Sequence, residues 1–160
     1  MFGFGKKKLN VKAPFAGEVV AVTEVPDPMF ADRLLGDGFA VTPSADVVDV
    51  CAPVDGTIVK VFGTLHAFAM KSDDHDTEVF VHIGLETVEL EGKHFERLAE
   101  EGAKVKAGTP VVRLDVAAVK EAGYNPITPV VFTKRGQVES VDVTTGSTDG
   151  SQVVCVATLA

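Results

Sequence analysis

Residues 66–82 read HAFAMKSDDHDTEVFVH, and the way this stretch pairs with itself decides how the region folds. From Thr77 to Ile83 the residues alternate, with Val79, Val81 and Ile83 on one side and Glu78, Phe80 and His82 on the other. Upstream, His66, Phe68 and Met70 share one side while Leu65, Ala67 and Ala69 take the opposite one. Between them, Ser72-Asp73-Asp74-His75-Asp76 is turn chemistry. The stretch is a β-hairpin. Pairing its strands symmetrically about Asp74 sets His66 against His82, Phe68 against Phe80 and Met70 against Glu78, with opposed Cβ atoms roughly 5 Å apart. A slip of one residue would separate these pairs. In this register two imidazoles lie abreast on a face that also carries two phenylalanines. Adjacent imidazoles can bind a metal, serve as acid and base, or pass a group through one nitrogen while the other ring steadies it.

The same short-period, Val-rich texture, punctuated by Gly and Pro, runs through the whole chain and favours strands over helices. Ala13-Pro14-Phe15-Ala16-Gly17-Glu18-Val19-Val20-Ala21-Val22 is echoed 39 positions on by Ala52-Pro53-Val54-Asp55-Gly56-Thr57-Ile58-Val59-Lys60-Val61. A second echo links Gly108-Thr109-Pro110-Val111-Val112 to Gly150-Ser151-Gln152-Val153-Val154. Paired echoes indicate an internal duplication, two copies of a β-unit closing around one core. Helical signals are few. Asp27 to Gly36 has a cap residue, a proline at the first helical position and a terminating glycine. Lys93 to Glu101 has Phe95, Leu98 and Ala99 at helical spacing, and Asp115 to Ala122 is a third short candidate. The fold class expected is one all-β domain over residues 13–160, with residues 1–12 a flexible tail.

At 160 residues the chain suits one domain with a proper core. No apolar run approaches the ~18 residues that span a bilayer, and the basic start Met1–Lys8 lacks the apolar centre of a secretory signal. Cys51 and Cys155 have no CxxC spacing and suggest no disulfide framework. A cytoplasmic location follows as the expectation. The net charge of −8 works against nucleic-acid binding, which draws its affinity from neutralising phosphates with Lys and Arg.

Motifs in order along nearly the whole chain carry a resemblance. They are AP-x-x-G-E at Ala13, VPDPMFAD at Val25, GDGFAVTP at Gly36, APVDGTI at Ala52 and TLHAF at Thr64, then EVFVHIGLETVEL at Glu78, EEGAKVKAG at Glu100 and ITPVV at Ile127. The sequence resembles the glucose-type IIA components of the bacterial phosphoenolpyruvate-dependent sugar phosphotransferase system. That resemblance implies a duplicated barrel-sandwich hybrid with its active site in a shallow depression. It implies that His82 is the phosphorylated residue, through Nε2, and that His66 steadies the phosphoryl group. Thr64 matches the hydroxyl residue that fixes the tautomer of His66, accepting from its other nitrogen. The flanking acidic pair falls on Asp27 and Glu86, the latter standing where the family usually has Asp. An apolar ring for docking partners maps onto Met29, Phe30, Phe62, Phe68, Phe80 and Val88. The segment after the turn is one residue longer than the family's, because His75 falls in the loop.

The partners so implied are the small phosphocarrier HPr as donor and a IIB domain, through its cysteine, as acceptor. Regulatory protein targets are a further partner class. No cofactor and no metal are expected on this chain alone, although His66 and His82 could hold zinc if a partner supplied a carboxylate. Two other readings compete. Ala69-Met70-Lys71 resembles the tripeptide of biotinyl and lipoyl carrier domains, but those are about half this length and Ser72 follows the lysine. A zinc-binding hydrolase of the related hybrid fold needs a third ligand, usually from an H-x-H pair, where this chain has Phe80-Val81-His82. His75 and His94 have no partner at ligand spacing and are expected to be exposed.

Overall fold

The computed structural model describes residues 7–160. Its centre is one long antiparallel sheet made from β13 (Gly146–Thr148), β2 (Gly17–Ala21), β3 (Asp37–Pro43), β11 (Thr128–Phe132), β7 (Glu78–His82), β6 (Ala67–Ser72), β5 (Gly56–Val61) and β9 (Lys104–Val105), side by side in that order. Two smaller sheets flank it. One joins β1 (Lys8–Lys12), β14 (Val153–Leu159) and β12 (Val138–Val143); the other joins β4 (Val47–Cys51), β10 (Pro110–Asp115) and β8 (Phe95–Arg97). The strand orders mirror each other about the β11–β7 seam. This is the duplication expected from the sequence echoes.

The two Ala-Pro steps meet at the centre of that symmetry. Lys12 donates its N–H to the Pro53 carbonyl and Cys51 donates its own to the Pro14 carbonyl, at 2.9 and 2.8 Å. Each partner stands 39 positions from its counterpart. Between the sheets lies the main core, with Val11, Val19, Phe39, Val41, Ile58, Phe68, Met70, Val79, Val81 and Ile83 all buried in it. A second, smaller cluster lies on the outer face of the long sheet: Val22, Val25, Phe30, Ala40, Leu85, Ile127 and Val131. The outer cluster positions the site.

Helix α1 (Pro28–Ala31) forms where the capping pattern predicts it, with the Asp27 side chain accepting from the Met29 N–H at 3.0 Å. Helix α2 (Val116–Glu121) is likewise capped by Asp115. Two expectations fail. Lys93–Glu101 is not a helix: Glu91, Gly92 and His94 all take positive φ, and Phe95–Arg97 docks as β8 on the edge of β10. The ordered domain also starts before Ala13. Leu9 and Val11 are buried and β1 pairs with β14, whereas Met1–Lys6 of the expected tail lie outside the described residues.

Candidate active site

The hairpin forms, one register step from the expected pairing. Its ladder runs Ala67↔His82, Phe68↔Val81, Ala69↔Phe80, Met70↔Val79 and Lys71↔Glu78. The turn holds His75 and Asp76 in left-handed backbone, and the extra residue there moves the centre of the hairpin past Asp74. One consequence is a correction. Phe68 does not share a face with Phe80; it is fully buried in the main core opposite Val81, so it is no part of a docking ring. His66 stands just before β6 and outside its ladder. Leu65 adopts φ 61°, and this left-handed step releases His66 from the strand alternation that would have pointed it inward with Phe68. The rings still meet: their centroids lie 5.2 Å apart, nearly edge to face.

Both imidazoles are held by their Nδ1 atoms. His82 Nδ1 lies 2.7 Å from the Gly84 carbonyl oxygen. A carbonyl only accepts, so Nδ1 carries the hydrogen, and a neutral ring must leave its lone pair on Nε2. Sequence reasoning missed Gly84. Its signal was the glycine two residues after the histidine: φ is 78°, and a Cβ there would lie 2.6 Å from Thr87 Cγ2. His66 Nδ1 shares a 2.6 Å hydrogen bond with the Thr64 hydroxyl. Burial and the neighbouring His82 push the His66 pKa down to about 4. Burial also lowers that of His82, while the Gly84 hydrogen bond and the charge of Asp27 act the other way. Both rings are neutral near pH 7.

Around the pair runs a line of aromatic rings. Phe30 lies 5.3 Å from His82, and Phe62 lies 5.4 Å from His66. Phe80 touches both Phe62 and His82. Met29 and Val88 are among the few large apolar side chains left exposed. Asp27 caps α1 beside Phe30, and Glu86 is exposed in left-handed backbone before the 3₁₀ turn Thr87–Leu90. Thr64, His66, His82, Phe62 and Phe80 are thus linked by contact, and Phe30, buried at 3% exposure, walls them on the side of Asp27. His75 and His94 are exposed and stand outside the line of rings, and Lys71 lies inside β6, paired with Thr57 and Glu78, rather than at a hairpin tip. Among the described residues no group of three or more His, Cys, Asp or Glu could hold a metal ion, and no helix is long and apolar enough to cross a membrane.

Comparison with known proteins decides the family. The model of the phosphoenolpyruvate-dependent sugar phosphotransferase system, EIIA 1, matches residues 9–138. The chain belongs to this IIA family. A PTS system glucose-specific EIIA component from Bacillus cereus is 42% identical over 99% of this chain and 97% of its own length. One from Buchnera aphidicola is 38% identical over 91% and 85%. The solved glucose permease IIA of Mycoplasma capricolum superposes with a TM-score of 0.85 at 35% identity, covering 98% of this chain and 99% of that one. This IIA protein is therefore a phosphoryl-transfer component of sugar uptake, built as a duplicated, mostly antiparallel β-fold. A biotinyl-carrier or hydrolase reading has no support.

Proposed function

We propose that His82 accepts a phosphoryl group on Nε2 from phosphohistidine of HPr and hands it to a cysteine of a IIB domain in a glucose-type system. In the first step the lone pair on Nε2 attacks phosphorus. The P–N bond to the donor imidazole breaks, and that ring leaves with the electron pair. In the second step a cysteine thiolate attacks, the P–Nε2 bond breaks, and the lone pair returns to His82. Neither step needs a proton from this chain. Such transfers ask little covalent work of the protein, so positioning and electrostatics dominate.

The observation that carries the reading is the hydrogen bond from His82 Nδ1 to Gly84, which reserves Nε2 as the nucleophile beside a second imidazole. The lowered pKa of His66 bears on the role of Thr64. For His66 Nε2 to donate to phosphoryl oxygens, the Thr64 hydroxyl must donate to Nδ1, the reverse of the direction expected from the motif. Met29, Phe62, Phe80 and Val88 supply a small apolar patch suited to weak, successive docking, with Phe30 buried as a wall against His82 and Asp27 and Glu86 meeting basic groups of the partner.

The test is incubation with phosphoenolpyruvate, enzyme I and HPr, followed by mapping of acid-labile phosphate. Label belongs on His82. His82→Gln takes up none, and His66→Gln loads but fails to pass phosphate onward. Label on Lys71, or full loading of the His82 variant, overturns the assignment.

A further inference from the structure

Strand β5 departs from its copy β2 in one respect. The pairing of β2 with β3 is regular throughout. The pairing of β5 with β6 shifts between Ile58 and Lys60, so Val59 is an extra, bulged residue. Ile58 and Val61 both enter the main core, three positions apart, and Val59 and Lys60 both face outward. Strict alternation from Ile58 would have turned Lys60 into the core. The bulge instead sets it opposite Ala69, in the same row as Phe80.

The bulge is held deliberately. Ile58 N–H donates to Ala103 and the Ile58 carbonyl accepts from Gly102, at 2.9 and 2.7 Å. Glu101 Oε1 accepts from the Val61 N–H at 2.9 Å. This uses the Glu-Gly-Ala of the EEGAKVKAG motif, which the transfer chemistry does not otherwise employ. Bulges of this kind commonly re-aim a side chain beside a functional site.

The re-aimed side chain is a cation. Lys60 Nζ lies 5.5 Å from the centroid of Phe62, within cation–π range. Lys60 is exposed and makes no ion pair with a described residue. From the β3 side of the sheet to the β5 side, the order is Asp27 with Phe30, then His82, His66, Phe62 and Lys60. The rim thus carries the Asp27 carboxylate at one end and the Lys60 ammonium at the other, where Glu101 is held by the Val61 N–H. Phe62 stands between the ammonium and the imidazoles, which places Lys60 beyond the phosphoryl group and at the edge where another protein seats.

We infer that Lys60 is a specificity-determining residue of the docking rim, pairing with a carboxylate on the phosphoryl donor while the donor's basic group meets Asp27 and Glu86. The rim then reads partner orientation as well as partner charge. A donor docked the wrong way round would set like charges against each other at both ends. The inference rests on the phosphohistidine reading above, and the test separates the two.

Steady-state transfer from phospho-HPr, made with phosphoenolpyruvate and enzyme I, is measured on the full chain and on Lys60→Glu and Lys60→Arg. Lys60→Glu is expected to raise KM about tenfold at low salt with kcat within about twofold, as for a rim charge reversal. The penalty should shrink as ionic strength rises, and Lys60→Arg should keep KM within about twofold. An unchanged KM overturns the inference. So does a fall in kcat at constant KM, which would put Lys60 on the phosphoryl group itself. Wild-type protein that takes up no phosphate overturns the underlying reading, and is recognised before any variant is compared.

Discussion

Gly17–Val22 and Gly56–Val61 begin from the same Ala-Pro-x-x-Gly step, yet Val22 packs in the outer cluster and Val61 in the main core. The bulge at Val59 accounts for the change of face. The connections that follow differ as well. After β2 the chain takes a long excursion over residues 22–36, through α1, and lays Phe30 against His82. After β5 it turns tightly, with Phe62 N–H donating to Ala67 and Leu65 N–H to Phe62. One connection supplies a wall and an acid. The other supplies the second imidazole and its hydroxyl, beside the cation that the bulge in β5 turns outward. A duplicated fold offers two equivalent places for a site, and here their divergence makes one site from both.

Removing the wall that the first copy supplies should do the most damage. Phe30→Ala would strip that copy's excursion of its anchor, buried at 3% exposure. Large-to-small changes of this type cost about 3 kcal/mol or more, read as a shift in the urea midpoint.

The imidazoles make a second contribution, through pH. In the folded state their pKa values lie below the ordinary histidine value, so the unfolded chain binds protons that the folded chain does not. Stability is therefore full above about pH 6.5 and falls as pH drops, until His66 itself titrates near 4. The slope should approach ~1.4 kcal/mol per pH unit for the His66 ring, with His82 adding to it in the same direction. His66→Gln should flatten it in urea titrations between pH 7 and 4.5. Smaller again, Thr64→Val would remove the hydroxyl from His66 Nδ1. Passage of phosphate to IIB should slow about tenfold, the scale of one hydrogen bond, while loading changes less. Lys71→Ala, on the exposed side of the bulged hairpin, should leave both rates within about twofold.

Much of this was legible in the sequence, and for identifiable reasons. The alternation of Thr77–Ile83 reports a half-buried strand, and the paired echoes report the duplication. The candidate site residues were picked out through family motifs rather than through geometry. The simple hairpin model paired His66 with His82 by a register the molecule does not use. Two left-handed residues in the turn, His75 and Asp76, shift the ladder by one, and a third, Leu65, brings His66 back to the outer face. Backbone of this kind at non-glycine residues leaves little trace in composition. Phe68 was misplaced by the same shift. At Lys93–Glu101 the apolar spacing was helical by coincidence, and the exposed edge of β10 claimed Phe95–Arg97. Val59 was invisible as a bulge in one strand. It becomes legible only when β5 is aligned on β2, since Ile58 and Val61 then break the period that Val19 begins.

The mutual clasp of the two Ala-Pro steps, with β1 lying against β14 from Lys8↔Thr158 to Lys12↔Val153, bears on how the protein emerges during synthesis. Strand β1 has no neighbour in its own sheet until β14 arrives, and β2 likewise waits for β13 on its outer side. Pairings so distant in the chain close slowly and leave apolar strands uncovered meanwhile. The nascent domain should stay protease-sensitive until β14 has emerged, then become resistant in a single step.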